Sequence, residues 1–354
     1  MQRVVDRPIL TIAIPTYNRA DSLAYIVEKI APYLDKNLSL LILDNHSTDE
    51  TQRYCLAFSQ EHSYVEYVRH SANVGGVVNM LRCIELSHSR YTWLLGDDDD
   101  IEVELLPELV RLVEEKNAFG YHLLAKSRQN RKISHYRFEN KEEFENSFFD
   151  MTAMHLMSSN IFNTQEASRF FSEAYRLVHL QHAYTLFHVK FLEENHSVEI
   201  LKLPILKPER IVVKRWSKFA AHLDAMETSY HLFGKKIASK EYTVRKKELL
   251  KIATQALFSS KDEGFDTLEV KRLFWMLGVK DFFYPLLFLM MIFLSQGSWR
   301  KYLFIYGLYG VYIFRYKNNY VSAMKSFFML QKEESLYMFL VKNINTTRSH
   351  YFKN

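Results

Sequence analysis

The first hundred residues alternate short apolar runs with amphipathic stretches. Leu10-Thr-Ile-Ala-Ile14 is a β-rich run closed by Pro15, residues 38–43 form a continuous apolar run, and residues 65–68 and 91–95 form two more. The intervening stretches carry helical periodicity. One helix is expected from an N-cap at Asp21 or Ser22 to about Ile30, a second from Thr48 or Asp49 to about Phe58, and a third over residues 77–86. A fourth, residues 102–115, follows Asp99 and Asp100, either of which can cap it. Strands alternating with helices at this spacing predict β-α-β units, hence an α/β fold with a doubly wound, mostly parallel sheet. The strands lack polar alternation, as expected where helices cover both faces. Beyond residue 117 the pattern is less regular. Residues 119–125 and 132–138 read as strands, 142–149 as a short helix, 176–187 as a helical segment and 210–216 as a strand. From about residue 219 the pattern is helical to the end, giving two regions, 1–218 and 219–354, the second a helical extension.

The polar ends of these strands carry the chemistry. The run Tyr-Thr-Trp-Leu-Leu ends at Gly96 and four consecutive aspartates, Asp97, Asp98, Asp99 and Asp100. Neighbouring carboxylates repel one another, and a cation among them removes that cost. Oxygen-only donors at a strand end suit Mg²⁺ or Mn²⁺, which bind through one or two carboxylates plus substrate phosphates. Open α/β sheets place their sites at the carboxyl ends of strands. The competing reading is a solvated acidic turn capping the next helix. The first strand ends in Thr16, Tyr17 and Arg19, which offer a hydroxyl, a ring and a cation, and the second ends in Asp44, an acceptor. If the strands are adjacent, a ring, a carboxylate and a metal along one edge describe a pocket for a nucleotide diphosphate. No Gly-x-x-x-x-Gly-Lys-Ser/Thr loop and no Gly-x-Gly-x-x-Gly follows a strand, which argues against P-loop NTPases and dinucleotide-dependent oxidoreductases.

Four segments in order, Ile12-Ala-Ile-Pro-Thr-Tyr-Asn-Arg19, Leu43-Asp-Asn-His-Ser-Thr-Asp49, Asn73-Val-Gly-Gly76 and Leu94-Leu-Gly-Asp-Asp-Asp99, resemble the signatures of glycosyltransferase family 2. The Leu-Gly-Asp-Asp-Asp form is most similar to the abequosyltransferase-like branch, which builds bacterial surface polysaccharides. The resemblance covers about residues 8–220. It implies a GT-A fold and an inverting transfer of one sugar from a nucleotide-diphosphate donor to a lipid-linked saccharide of O-antigen or capsule type. It places Thr16 and Tyr17 on the donor nucleotide with Arg19, has Asp44 accept from the base, sets Asp97 against the ribose or donor sugar, and gives Asp98 the Mn²⁺ or Mg²⁺ on the diphosphate. Asn73 either belongs to the donor site or is a turn residue. Many relatives have an aspartate where this chain has Gly96, so the metal ligand is Asp98 or its neighbour Asp99. Relatives also carry an acidic catalytic pair in the region of residues 176–187. Here that window holds no Asp or Glu, and His179 and His182 stand three apart, on one face if the segment is helical. His182 is the candidate general base, with His179 and Glu173 as alternatives. Arg215 is either a phosphate contact or a solvated arginine.

Charge separates the two regions. Residues 271–354 hold twelve Lys and Arg against three Asp and Glu, a net of +9 in a chain of +5, so residues 1–270 sum to −4. Residues 282–294 are apolar all round and residues 302–314 nearly so. Each is shorter than the roughly 20 residues of a spanning helix. Basic and aromatic residues flank them, which suits an anionic membrane surface, and the absence of polar readers on these helices argues against nucleic acid. The alternative is a buried helical pair completing the core. Cys55 and Cys83 form neither a metal spacing nor a disulfide framework, and the amino terminus lacks the apolar core of a signal peptide. The expected location is the cytoplasm, peripheral on the inner face of the cell membrane. Two other functions compete: a sugar nucleotidyltransferase, and a non-catalytic, membrane-attached saccharide-binding subunit.

Overall fold

A computed structural model describes residues 7–124, 136–146, 155–207, 224–225, 227–229 and 231–233. The chain divides into two units, Met1–Arg245 and Lys246–Asn354, and every described residue falls in the first. The expected strand over 210–216 with Arg215, the apolar segments 282–294 and 302–314, and nearly all of 219–354 lie outside the described residues.

Four strands, β1 (Leu10–Thr16), β2 (Leu38–Asp44), β3 (Val65–Arg69) and β4 (Tyr91–Leu94), alternate with α1 (Ala20–Ile30), α2 (Thr51–Glu61) and α3 (Gly76–Leu86). After them come α4 (Leu106–Lys116), β5 (Gly120–Leu123), β6 (Arg137–Phe138), α5 (Lys141–Asn146), β7 (Asn160–Asn163), α6 (Thr164–Ser168), α7 (Phe171–Arg176), α8 (Leu186–Glu193) and β8 (Val198–Leu201). The described strands form one sheet in the order β3-β2-β1-β4-β7-β5-β8-β6. The first four are mutually parallel, β7 runs antiparallel between β4 and β5, β8 is parallel to β5, and β6 is antiparallel to β8. The mixed α/β, mostly parallel sheet expected from the sequence is present.

Alternation along each strand feeds two cores, because successive side chains point to opposite faces. Leu10, Ile12 and Ile14 of β1, Leu38, Leu40 and Ile42 of β2, and Tyr91 and Trp93 of β4 pack on one face against α1, α2 and α4. Ala13, Leu41, Leu43 and Leu94 face the other way, toward α3 and the aromatic residues Phe162, Phe187 and Phe191. Each buried leucine or isoleucine contributes about 1.5–3 kcal/mol, so helices covering both faces hold the sheet more firmly than any single polar contact does. Cys55 and Cys83 are free thiols, one in each core.

The structure corrects three local expectations. Helix α1 starts at Ala20 rather than after a cap at Asp21 or Ser22. Its first N–H, on Ala20, is 3.3 Å from Asp49 Oδ2, a carboxylate of the loop after β2, and Asp21 lies in the first turn. Neither Asp99 nor Asp100 caps the helix after β4. Asp100 is held by Lys29 at 2.5 Å and by the Ile101 N–H at 2.9 Å, and the helix instead enters through a 3-10 turn, Val103–Leu105, before α4.

The third correction concerns residues 176–187, which are not one helix. Helix α7 ends at Arg176, turns follow, a 3-10 turn spans Ala183–Thr185, and α8 begins at Leu186. The Leu180 N–H bonds the Leu177 carbonyl and the Thr185 hydroxyl bonds the His182 carbonyl, both three residues back. His179 and His182 therefore do not share a helical face: His179 is exposed and His182 half-buried.

Among the described residues no helix is long and apolar enough to cross a membrane.

Candidate functional site

In the sheet the connection after β1 runs to β2 on one side and the connection after β4 runs to β5 on the other, so the crevice beyond the carboxyl ends of these adjacent strands is a topological switch point. The predicted loops meet there. Thr16 and Asp44 are partners in the β1–β2 register, and the Asn45 N–H bonds the Thr16 carbonyl at 2.9 Å. Thr16 Oγ1 donates to Asp97 Oδ2 at 2.7 Å across the β1–β4 boundary. Asn18 sits at φ +52°, a left-handed conformation that asparagine tolerates. Its side chain takes the Thr48 N–H at 2.7 Å and its own N–H bonds Ser47 Oγ, which ties the first loop to the second. The turn brings Arg19 back over the aspartates. Its Nη1 lies 3.2 Å from Asp97 Oδ1 and 2.7 Å from Asp98 Oδ2. Tyr17 is 38% exposed at this edge.

The four aspartates have four different environments. Asp97 is 7% exposed, and burial pushes its carboxyl up to about 7 against the opposing pull of Arg19 and Thr16, with Asp98 and Asp99 adding to the push. The Asp98 side chain is 43% exposed and meets Arg19 through Oδ2 alone. Asp99 folds back over Gly96, where a Cβ would stand 2.7 Å from its Oδ2, and accepts from Ser158 Oγ. Ser158 Oγ in turn accepts from the Gly96 N–H at 2.9 Å. A glycine at this position is thus used by the close approach of Asp99. Asp100 points away, to Lys29 and, at 3.8 Å, Lys207.

Asp44 does not face the crevice directly. Its side chain is completely covered. Oδ1 accepts from the Ser47 N–H at 2.8 Å, and Oδ2 accepts from Tyr67 Oη at 2.8 Å and lies 3.3 Å from Arg69 Nε. Burial first, then the bond to Asp44, holds the Tyr67 phenol above its ordinary range, so it is a permanent donor. Asp44 thus positions Arg69, Tyr67 and the loop after β2. Asn73 serves the turn into α3: its Oδ1 accepts from Asn45 Nδ2 and from the Gly75 N–H, both at 2.9 Å, and Gly75 takes the positive φ of +88° that this turn needs.

His182 stands apart from the aspartates but is linked to them through residues 155–160. At one end Ser158 grips Asp99. At the other, the His155 carbonyl accepts from Tyr184 Oη at 2.6 Å, and Tyr184 Oη lies 3.0 Å from His182 Nδ1. The other two base candidates are placed differently. Glu173 pairs with Lys190 at 2.8 Å, and the His179 ring stacks edge-on with His231 at 6.0 Å. Ser158, Tyr67 and Arg69 carry no signature in the sequence, since nothing in a lone serine, tyrosine or arginine announces a partner 23 to 59 residues away.

A divalent cation suits the donor set. Among the described residues no three His, Cys, Asp or Glu side chains converge on one point. Mg²⁺ and Mn²⁺ do not need that, because substrate phosphates and water supply most of their oxygens. Asp98 is exposed, its Oδ1 accepts no hydrogen bond from a described residue, and Asp99 lies beside it.

The family profile described as Glycosyl transferase family 2 matches residues 11–193, a little over half of the chain. Two curated proteins are similar over shorter stretches. "Glycosyltransferase GlyG" of Streptococcus pneumoniae serotype 4 is 27% identical over 111 residues, which is 31% of this chain and 36% of that protein. "Uncharacterized glycosyltransferase MG025 homolog" of Mycoplasma pneumoniae is 30% identical over 95 residues, 26% of this chain and 31% of that protein. The matched stretches thus span about a third of each relative. Among solved structures, S. aureus TarS 1-349 aligns with a TM-score of 0.49 at 15% identity, covering 76% of this chain and 79% of that one. The mannosyltransferase PcManGT of Pyrobaculum calidifontis, solved with GDP-Man and Mn²⁺, aligns with a TM-score of 0.49 at 13% identity, covering 77% and 80%.

Proposed function

Because the chain belongs to glycosyltransferase family 2, we propose that it moves one sugar, with inversion, from a nucleotide-diphosphate donor to a lipid-linked saccharide of a bacterial surface polysaccharide. The abequosyltransferase-like form of its Leu-Gly-Asp-Asp-Asp motif supports the polysaccharide assignment. The observation that carries the donor reading is the bonded set Thr16, Arg19, Asp97 and Asp98 at the switch point between β1 and β4. Tyr17 and the loop held by Asp44 receive the nucleoside, Asn73 shapes the adjoining turn, and Asp97 with Thr16 faces the ribose or donor sugar. Arg19 supplies positive charge beside the diphosphate. Asp98, with Asp99 behind it, holds Mn²⁺ or Mg²⁺, which neutralises charge on the departing diphosphate when bound. His182 takes the proton of the acceptor hydroxyl as that oxygen attacks the anomeric carbon. The basic region 219–354 holds the protein against the anionic inner face of the membrane, where a lipid-linked acceptor resides.

The test is a screen of UDP-, dTDP-, GDP- and CDP-sugars for slow hydrolysis with Mn²⁺ or Mg²⁺ and no acceptor. One nucleotide class should release sugar, and chelator should stop it. If no donor is hydrolysed and none binds by calorimetry, the proposal fails.

A further inference from the structure

We propose that Tyr184 is a positioning residue that fixes the tautomer of His182, with the proton on Nδ1 and the lone pair on Nε2. This deepens, and rests on, the reading of His182 as the general base.

A phenol has one proton. Tyr184 Oη lies 2.6 Å from the His155 carbonyl oxygen, which can only accept, so the phenol proton is committed there. Tyr184 is buried, and burial holds its phenol well above the ordinary value, so it remains a neutral donor. His182 Nδ1 is 3.0 Å from the same oxygen. With its proton engaged, Oη has only lone pairs to offer, so Nδ1 is the donor. A neutral imidazole that donates through Nδ1 carries its lone pair on Nε2. The opposite tautomer would need the phenol proton to turn to Nδ1, leaving a buried carbonyl without its donor.

The arrangement is anchored at both ends. His155 Nε2 is within 3.0 Å of Ser229 Oγ, and its ring lies 4.8 Å from that of His182. Three residues on, Ser158 holds Asp99, so one short segment sets both the base and the aspartate loop. His182 Nε2 is buried, so an acceptor hydroxyl must displace what covers it before its O–H bond breaks and an Nε2–H bond forms. The oxygen keeps the electron pair and makes the new glycosidic bond, while the departing diphosphate keeps the pair of the old one. The Nδ1–H···Oη bond is unchanged through the step, and Tyr184 accepts from the neutral ring and from the cation alike.

The experiment is long-range proton–nitrogen correlation NMR on the full chain labelled with ¹⁵N-histidine, with His182 assigned by its loss in His182→Gln. The wild type should show Nδ1 as the N–H nitrogen and Nε2 as the bare one. Tyr184→Phe should give a mixture of tautomers and lower kcat about tenfold with donor KM unchanged, well short of the roughly 10⁴-fold loss of a fully wrong tautomer. Wild-type His182 protonated on Nε2 overturns the proposal even if Tyr184→Phe fails to fold. The expected tautomer together with a fully active His182→Gln supports the positioning role and overturns the assignment of the base instead.

Discussion

Asp44→Asn tests whether the buried carboxylate behind the loop after β2 acts through its neighbours. The substitution keeps the shape and removes the charge. The asparagine carbonyl can keep the Ser47 N–H, but its amide places donors where Oδ2 accepted from Tyr67 at 2.8 Å and faced Arg69 Nε at 3.3 Å. The Tyr67 hydroxyl can then only accept from the amide, and Arg69 Nε is left facing N–H donors with no carboxylate. At an effective dielectric of about 20 the lost attraction at this separation is about 5 kcal/mol before screening. Breaking one side of a buried pair costs about 3–5 kcal/mol. Arg69 is 24% exposed and can turn partly to water, which lowers the expected cost to about 2–4 kcal/mol. For a unit of this size that is a fall of about 5–15 °C in Tm, read by thermal unfolding of the full chain. Tyr67→Phe should cost less in the Asp44→Asn background than in the wild type, because the bond it removes is already gone. Affinity for the free nucleoside diphosphate should weaken by about 0.5–1.5 kcal/mol, roughly 2- to 13-fold, the scale of one ordinary hydrogen bond lost through the loop that Asp44 holds, measured by calorimetry. An unchanged Tm refutes the electrostatic argument. A lowered Tm with unchanged affinity places the nucleotide away from this loop.

Four further outcomes are expected. Asp98→Asn should lower turnover by about 10²-fold or more, while its half-exposed pair with Arg19 keeps the stability cost below about 1 kcal/mol; full activity, or wild-type activity in excess chelator, removes the metal from the mechanism. Gly120→Ala should destabilise by about 1–3 kcal/mol, because its Cβ would lie 2.5 Å from His188 Cδ2 in a ring pinned to the Ile161 carbonyl at 3.1 Å; an unaltered melt would show that the ring can yield. Burial lowers the His188 pKa to about 4, so below the unfolded value of about 6.5 the unfolded chain binds the extra proton and stability falls as pH drops through that window, by about 3 kcal/mol in all; a His188→Gln variant whose melt keeps the same slope between those pH values would assign the loss elsewhere. The full chain should sediment with anionic vesicles and be only partly released by high salt, because buried apolar surface is not screened; protein that stays in the supernatant favours a helical pair packed in the core.

What the sequence made legible follows from the range of each interaction. The β-α-β half and the edge where Thr16, Asp44 and the aspartates gather were readable because strand, helix and loop each write a local pattern, and parallel pairing then brings the ends together. The roles of individual carboxylates were not. Asp44 and Asp97 both follow apolar runs, yet one is enclosed by Tyr67, Arg69 and Ser47, and the other is shared by Thr16 and Arg19. These partners lie 3 to 81 residues away along the chain. Even the caps were misplaced for this reason: α1 is capped from another loop, and Asp100 is drawn off by Lys29.

The segment around His182 shows the limit most clearly. Its composition, with three Leu and no Gly or Pro over residues 176–187, permits a helix, and a continuous helix would set His179 beside His182. The chain instead breaks at Leu177 and re-forms at Leu186. In the break Tyr184 is buried with its hydroxyl on the His155 carbonyl, and just after it, in α8, Phe187 packs edge-on to both Phe162 and Phe171. Burying one aromatic side chain contributes about 1.5–3 kcal/mol, more than the few tenths per residue that helix propensity offers over the same span. Tertiary packing therefore decides the backbone there, and the same packing separates the two histidines. It leaves His179 at the surface and ties His182, through Tyr184 and His155, to the segment that holds the aspartate loop. The separation of the two histidines, invisible in the sequence, follows from where a tyrosine finds an acceptor for its proton.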